Sequence, residues 1–430
     1  MTIVTSAFVP LARSTMESLG FADMAFVEVA HPLGMIPLPE IHARAEQSLT
    51  AILKTAAEWK PAAKDRQDSG VPAYPAERIT FKGTYGELND MFYERGWSLG
   101  LPIIPPTSAA VAAMLKGAAR KPDEVVWVVP PRMGRLTMEL VATIGVMAGC
   151  KPAHMPLLLA IVKALSHPDY DWLGSATTTG ATAPVIIING PILDEMGIGY
   201  STGVLGGHQP VNIALGYFVN LLGDIVGGSV PPDVDKSAHG SRGDLVALVL
   251  GENESANPWR QSYAVEQGYN PTDSVVTAFS AYPGTNNTDH SSTTGRQLLN
   301  TISVGAAAVA CGITTCLTRY EDPFSVTNMV KYVFLLLGPE HADTIFREFP
   351  TKRAVKEYVV KKAALPHWGY APQLCEPPES FGPRTPDTMI PRFSRPECIH
   401  IVVTGGPGKQ SQIWAPFPTC SRPVSIPVTD

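Results

Sequence analysis

The chain lacks the features that announce several common protein classes. Its 430 residues hold six cysteines and no Cys-x-x-Cys pair, which argues against a disulfide framework or a zinc ribbon and predicts a reducing, cytoplasmic setting. There is no basic excess: the formal net charge is −6, so no field draws in nucleic acid or an anionic membrane surface, and a small molecule or a protein is the expected partner. No apolar run approaches the roughly 20 residues that span a bilayer. The longest lie near 157–165 and 333–337, and no membrane span is expected. The apolar start carries no basic leader before Arg13 and Glu17, so no secretion signal is expected either. Neither an internal repeat of fixed period nor a Gly-x-Gly-x-x-Gly dinucleotide fingerprint occurs.

What is present is a large apolar fraction, 45% of residues, with 40 prolines and 37 glycines. That composition supports roughly two or three globular units built from short elements and shaped turns. Residues 25–29 read as a strand and 40–59 as a helix with Ile41, Ala45, Leu49, Ile52 and Leu53 on one face. This small N-terminal βα unit, 1–60, is followed by a polar, Pro/Ala-rich linker at 61–78. The rest, 79–430, reads as the main core, divisible into two subdomains. Strand-like runs recur at 125–129, 184–189, 244–250, 274–280 and 399–404. Helical periodicity marks 137–149, 156–166, 210–226, 296–311, 324–337 and 351–363. The alternation predicts an α/β or α+β fold, a mixed sheet with flanking helices. Residues 375–396 read as an extended loop, and the tail from 414 predicts an edge strand.

Six constellations could carry chemistry. Cys150 and His154, four apart in a turn behind Glu139, offer a nucleophile pair or two metal ligands, against a plain buried thiol and a capping imidazole. No metal site is fixed by local spacing; any metal held there is expected to be zinc, with further ligands drawn from loops holding His208, His239 or His290. Asn189 closes a buried strand at Asn-Gly-Pro, at the sheet edge where open α/β folds bind ligands. Residues 203–212, with Gly206, Gly207, His208 and Asn212, form a glycine-rich run into a helix and suit an anion. Glu252 follows a strand in Gly-Glu-Asn-Glu, where one of the alternating carboxylates, Glu252 or Glu254, should point inward as an acid/base group; Glu252 is the choice. His290, beside Asp289 in a polar loop, is a further acid/base candidate. Lys409 sits in Thr-Gly-Gly-Pro-Gly-Lys-Gln-Ser, which resembles a phosphate loop but has Val403 and Gln410 where a glycine and a hydroxyl residue are required. NTP hydrolysis is therefore disfavoured. Among the other cysteines, Cys311 and Cys316 read as structural and Cys420 as a weak thiolate candidate beside Arg422.

Four stretches, Ala30-His31-Pro32-Leu33-Gly34, Gly100-Leu101-Pro102-Ile103-Ile104-Pro105-Pro106-Thr107, Met147-Ala148-Gly149-Cys150-Lys151-Pro152 and Gly251-Glu252-Asn253-Glu254, together resemble the UGSC-motif (seleno)protein group. Residues 1–60 resemble the tail of that group's motif-bearing domain. The Sec/Cys-Gly-Ser-Cys motif itself does not occur in the chain. The resemblance thus implies a thiol-redox system whose motif a separate subunit would supply.

The combined expectation is a cytoplasmic, homo-oligomeric enzyme, lyase- or hydrolase-like, acting on a small carboxylate-bearing molecule. Cys150, His154, Glu252 and His290 would be catalytic, with Cys150 and His154 facing the same cavity as Glu252 or His290. Asn189, Gly206, Gly207, His208, Asn212 and Lys409 would bind substrate, and no cofactor is specified. The alternative is a partner-dependent subunit of a thiol-redox complex.

Overall fold

The computed structural model describes residues 1–18, 21–33, 36–60, 78–231, 234–235, 238–282, 284–309, 332–369, 385–416 and 422–429. The proposed linker, apart from residue 78, lies outside them, as do Cys311, Cys316, Cys375 and Cys420 and much of the extended loop at 375–396.

The N-terminal unit holds more than the single strand and helix read from the sequence. A strand Thr2–Thr5 pairs in parallel with Phe26–Val29 across the helix Val9–Ser18, and the helix Leu38–Glu58 follows. Strand Thr2–Thr5 is only four residues long, too short for its alternation to register as a pattern.

The main body is built on two four-stranded mixed sheets. In the first, Val424–Pro427, Val275–Ala281, Ala183–Asn189 and Leu248–Gly251 lie side by side in that order; the central pair is antiparallel and the last pair parallel. In the second the order is Thr285–Asn287, Ser411–Trp414, Val333–Leu337 and Ile399–Val403, with the same senses. The main body therefore repeats one sheet design twice. In each copy the first strand of that order is exchanged: Thr285–Asn287, directly after the first sheet's strand Val275–Ala281, joins the second sheet, and Val424–Pro427 makes the reverse crossing. Ala281 and Pro416 form a bridge where the crossings meet. No repeat is legible in the sequence because only topology is shared, apart from Gly190-Pro191 and Gly338-Pro339 at equivalent strand ends.

Alternation along the strands explains the layering. Ile186 and Ile188 join the helical core of Met138–Met147, Met155–Leu165 and Pro210–Leu222, whereas Val185 and Ile187 face the second sheet. All five residues of Val333–Leu337 are buried, and Phe334 stacks on Phe279 across the sheets with ring centroids 3.9 Å apart. Helices Gly295–Ala308, Pro339–Phe346 and Lys352–Lys362 complete the outer side. The expected helix at 324–337 is corrected here: its last five residues form a strand, because a short apolar run buried on both faces carries no periodicity to tell strand from helix. The tail does add the expected edge strand.

Helix Pro210–Leu222 continues through a π-helical turn, Gly223–Gly227, and the 18 residues are long and apolar enough by length and composition to cross a membrane. Two thirds of the segment is buried within the fold, against Met138–Met147 and Leu248–Gly251.

Candidate functional site

The carboxyl ends of the parallel strands from the two sheets meet. Asn253 N–H donates to Val403 O at 2.7 Å, Thr404 Oγ1 donates to Gly251 O at 2.8 Å, and Asn253 Nδ2 donates to Gly405 O at 3.0 Å. Most of the polar strand-end residues read from the sequence gather at this junction.

Glu252 is the inward carboxylate and has no exposed surface. Its oxygens accept from Asn189 Nδ2 at 2.8 Å, Tyr263 N–H at 2.6 Å and Asn257 Nδ2 at 3.1 Å. Lys352 Nζ lies 3.9 Å away, donates to Ile401 O at 3.1 Å, and stands 3.7 Å from Glu266. Lys356, one helical turn on, extends this into an alternating chain of buried and half-buried acidic and basic groups by contacting the other Glu266 oxygen. Burial pushes the Glu252 carboxyl above the usual carboxylate range, and Lys352, Tyr263 and Asn189 oppose that shift. With all these partners Glu252 is a linchpin of the sheet junction and does not reach solvent.

Glu254 does. Its Oε1 is fixed by Asn189 Nδ2 at 2.8 Å and Gly190 N–H at 3.0 Å, and the side chain lines an open polar cleft of about 450 Å³ with Asn257, Arg260, Ser262, Pro339 and Asp343. Gly190 has φ +91, and a Cβ there would lie 2.2 Å from Asp273 O, so only glycine brings this N–H to the carboxylate. Arg260 is exposed and holds a left-handed φ of +52, a conformation that side-chain-bearing residues seldom adopt.

The equivalent strand ends of the second sheet border a smaller cleft of about 170 Å³, lined by Leu205, Asn286, Gly338, Thr404, Gly406 and Gln410. His290 and Lys409 come together beside it: Lys409 Nζ donates to His290 O at 3.1 Å, and His290 Nε2 lies 2.8 Å from Gln410 Nε2. Asp289 caps the following segment, accepting from Ser292 and Thr301. Burial raises its pKa, but these hydrogen bonds outweigh it and the net shift is downward.

Other expected residues fall differently. Gly206, Gly207 and His208 are exposed beside this smaller cleft. Asn212 is buried, and its amide is spent on Gly199 N–H, Gly199 O and Val249 O; it ties a loop to a strand and has no group left for substrate. Cys150 and His154 sit in a turn against helix Ser108–Leu115 and line none of these clefts. Burial holds the Cys150 thiol up at about 12. His154 Nδ1 accepts from Lys151 N–H at 3.2 Å, a capping role, and burial lowers its pKa. Among the described residues Cys150 and His154 thus line neither the Glu254 cleft nor the one beside His290, and the cavity they were expected to share with Glu252 or His290 is not found there. Among the described residues no three His, Cys, Asp or Glu side chains converge on a metal-sized site, so Cys150 and His154 gain no third zinc ligand there. The sequence reading missed Lys352, Lys356, Glu266, Tyr263 and Arg260. The signal for the lysines was their interleaving with Val355 and Val359 on one helical face.

Residues 1–58 match the UGSC family. The resemblance to the UGSC-motif group thus holds over the N-terminal unit. No curated protein and no solved structure matches the chain.

Proposed function

We propose that the chain is an enzyme that acts on a small carboxylate-bearing molecule at the Glu254 cleft by acid/base, addition-elimination chemistry. One observation carries the reading: Glu254 has one oxygen clamped by Asn189 and Gly190 while its side chain lines a polar cleft that also holds an exposed arginine. A carboxylate fixed in this way is positioned to accept a proton, and a guanidinium pairs with a carboxylate in a fork. Glu254 would take the proton α to the substrate carboxylate, the C–H electron pair would become the new double bond, and the β-substituent would leave with its own bonding pair. Arg260 would hold the carboxylate. A cytoplasmic setting belongs to the same reading, supported by the cysteine usage of the chain, and a homo-oligomer is proposed with it.

The test is turnover of a panel of β-hydroxy and β-amino carboxylic acids, read as growth of conjugated-alkene absorbance. Glu254→Gln should lower kcat on the order of 100-fold or more, and Arg260→Ala should act chiefly on KM. No turnover across the panel, or turnover indifferent to Glu254→Gln, overturns the reading.

A second reading, a partner-dependent subunit, is favoured by the N-terminal unit. Helix Leu38–Glu58 has no buried residue, and Leu38, Leu49 and Leu53 are 63%, 51% and 61% exposed. Comparing the mass in solution of the full chain with that of a chain lacking residues 1–60 tests whether this unit mediates association.

A further inference from the structure

The glycine-rich run from Thr404 to Gln410, which departs too far from a phosphate loop to hydrolyse NTP, leads directly into Ser411, a residue the Glu254 chemistry does not use. Ser411 opens strand Ser411–Trp414 and lines the smaller cleft of about 170 Å³. Its Oγ lies 2.8 Å from Nδ1 of His341, and the other ring nitrogen, Nε2, lies 3.1 Å from the carbonyl oxygen of Asp289. Three separate stretches of chain thus bring together a hydroxyl, an imidazole and an orienting acceptor, the relationship expected of a nucleophile and its base.

The acceptor decides the roles of the ring. A carbonyl oxygen can only accept, so Nε2 carries the ring proton, and Nδ1 keeps the lone pair that accepts from the Ser411 hydroxyl. Burial of His341, opposed by Asp289, lowers its pKa from 6.5, so at neutral pH the ring is uncharged and Nδ1 is free to take a proton. The parts are fixed in place. Asp289 is anchored through its carboxylate to Ser292 and Thr301, and His341 is the third residue of helix Pro339–Phe346, packed with 2% exposure.

A serine and a histidine that only tied a helix to a strand would need neither an opening beside them nor spare donors. Both are present here. Gly406 and Gly408 share the cleft wall with Ser411, and their N–H groups have no hydrogen-bond partner among the described residues. Neither position tolerates a side chain: a Cβ on Gly406 would lie 2.2 Å from Thr202 Oγ1, and Gly408 has φ +146. Unspent backbone donors beside a nucleophile are the means of stabilising an oxyanion. Val204, Leu205 and Leu336 give the rest of the wall an apolar surface, suited to a short hydrocarbon acyl group.

We propose that Ser411 and His341 are the nucleophile and base of a second active site, which hydrolyses short-chain acyl esters independently of the Glu254 cleft. Ser411 Oγ attacks the acyl carbon while its proton passes to His341 Nδ1. The bond to the leaving oxygen breaks with its electron pair, and that oxygen takes the proton from Nδ1 and departs as the alcohol. Water then attacks the acyl-serine, giving a proton to Nδ1, and Ser411 Oγ recovers that proton as the carboxylic acid leaves.

The test uses the full chain with p-nitrophenyl acetate and p-nitrophenyl decanoate as substrates and methanesulfonyl fluoride as a covalent probe. The expected results are release of p-nitrophenolate, with kcat/KM for the acetate roughly tenfold or more above that for the decanoate, and sulfonylation mapped to Ser411 by peptide mass spectrometry. Ser411→Ala should lower turnover on the order of 100-fold or more while circular dichroism stays native, and Ser411→Cys should still be acetylated at that position. Labelling of the native chain reports on Ser411 even if the alanine variant does not fold. No sulfonylation of Ser411, equal turnover of the two esters, or turnover undiminished in a folded Ser411→Ala variant would each overturn the proposal.

Discussion

Asn189 and Glu254 are joined by a 2.8 Å hydrogen bond that ties together the ends of two parallel strands, and the same Asn189 nitrogen lies 2.8 Å from Glu252. One amide therefore serves both an interior carboxylate and a cleft carboxylate.

Asn189→Ala is expected to destabilise the fold by roughly 2–4 kcal/mol, because a buried charge loses a donor and a neighbouring loop loses its anchor. Urea denaturation measures it, and Glu254→Gln should cost distinctly less because Glu254 is partly exposed. Equal midpoints for Asn189→Ala and the native chain would remove Asn189 from this role.

Acid should loosen the second core through His400. Its ring is buried, stacks on Phe334 with centroids 4.6 Å apart, and pairs through Nδ1 with Tyr263 Oη at 3.0 Å. Burial, assisted by Lys356, lowers its pKa from 6.5 to about 3. A depressed folded pKa means that the stabilisation is complete above pH 6.5 and is lost as pH falls toward about 3. The full span corresponds to roughly 5 kcal/mol. In His400→Phe, thermal stability should fall less steeply across that window; parallel curves for the two proteins would count against the assignment.

How much of this was legible in the sequence depends on how each signal is encoded. Strands such as Ala183–Asn189 and Ile399–Val403 were readable as apolar runs punctuated by Gly or Pro. The inward placement of Glu252 followed from alternation beyond a strand end. What alternation does not encode is whether an inward side chain reaches a cleft or the core, and here it reaches the core. The Glu252–Lys352 pairing spans 100 residues and rests on the sheets packing face to face, which no local spacing records. Cys150 and His154 looked like a reactive pair because they are neighbours in sequence. In the fold the thiol turns into apolar packing beside Gly145 and the imidazole caps its own turn.

That burial gives a direct chemical prediction. With its pKa pushed up to about 12, the Cys150 thiol should resist iodoacetamide at pH 8 in the native protein and react once urea is added, since only the thiolate attacks. Mass spectrometry of the peptide containing Cys150 reads the result, and rapid native alkylation would restore a reactive thiol.

Removal of residues 422–430 takes away the strand Val424–Pro427 and bares the edge of Val275–Ala281. An unpaired, fully buried-type edge strand invites pairing with another copy. The truncated chain is expected to be less stable and to self-associate on size-exclusion chromatography with light scattering; a stable species of unchanged mass would contradict this.

The exchange of the edge strands Thr285–Asn287 and Val424–Pro427 also ties the two sheets into one body. Neither sheet can be completed by its own stretch of chain, so the two halves of the main body are interlocked in the manner of a swapped pair of subunits linked head to tail. Each half is the other's missing edge. The first sheet waits on a strand that leaves the ribosome about 140 residues after its partner, so neither half of the body is whole until the end of the chain has been made.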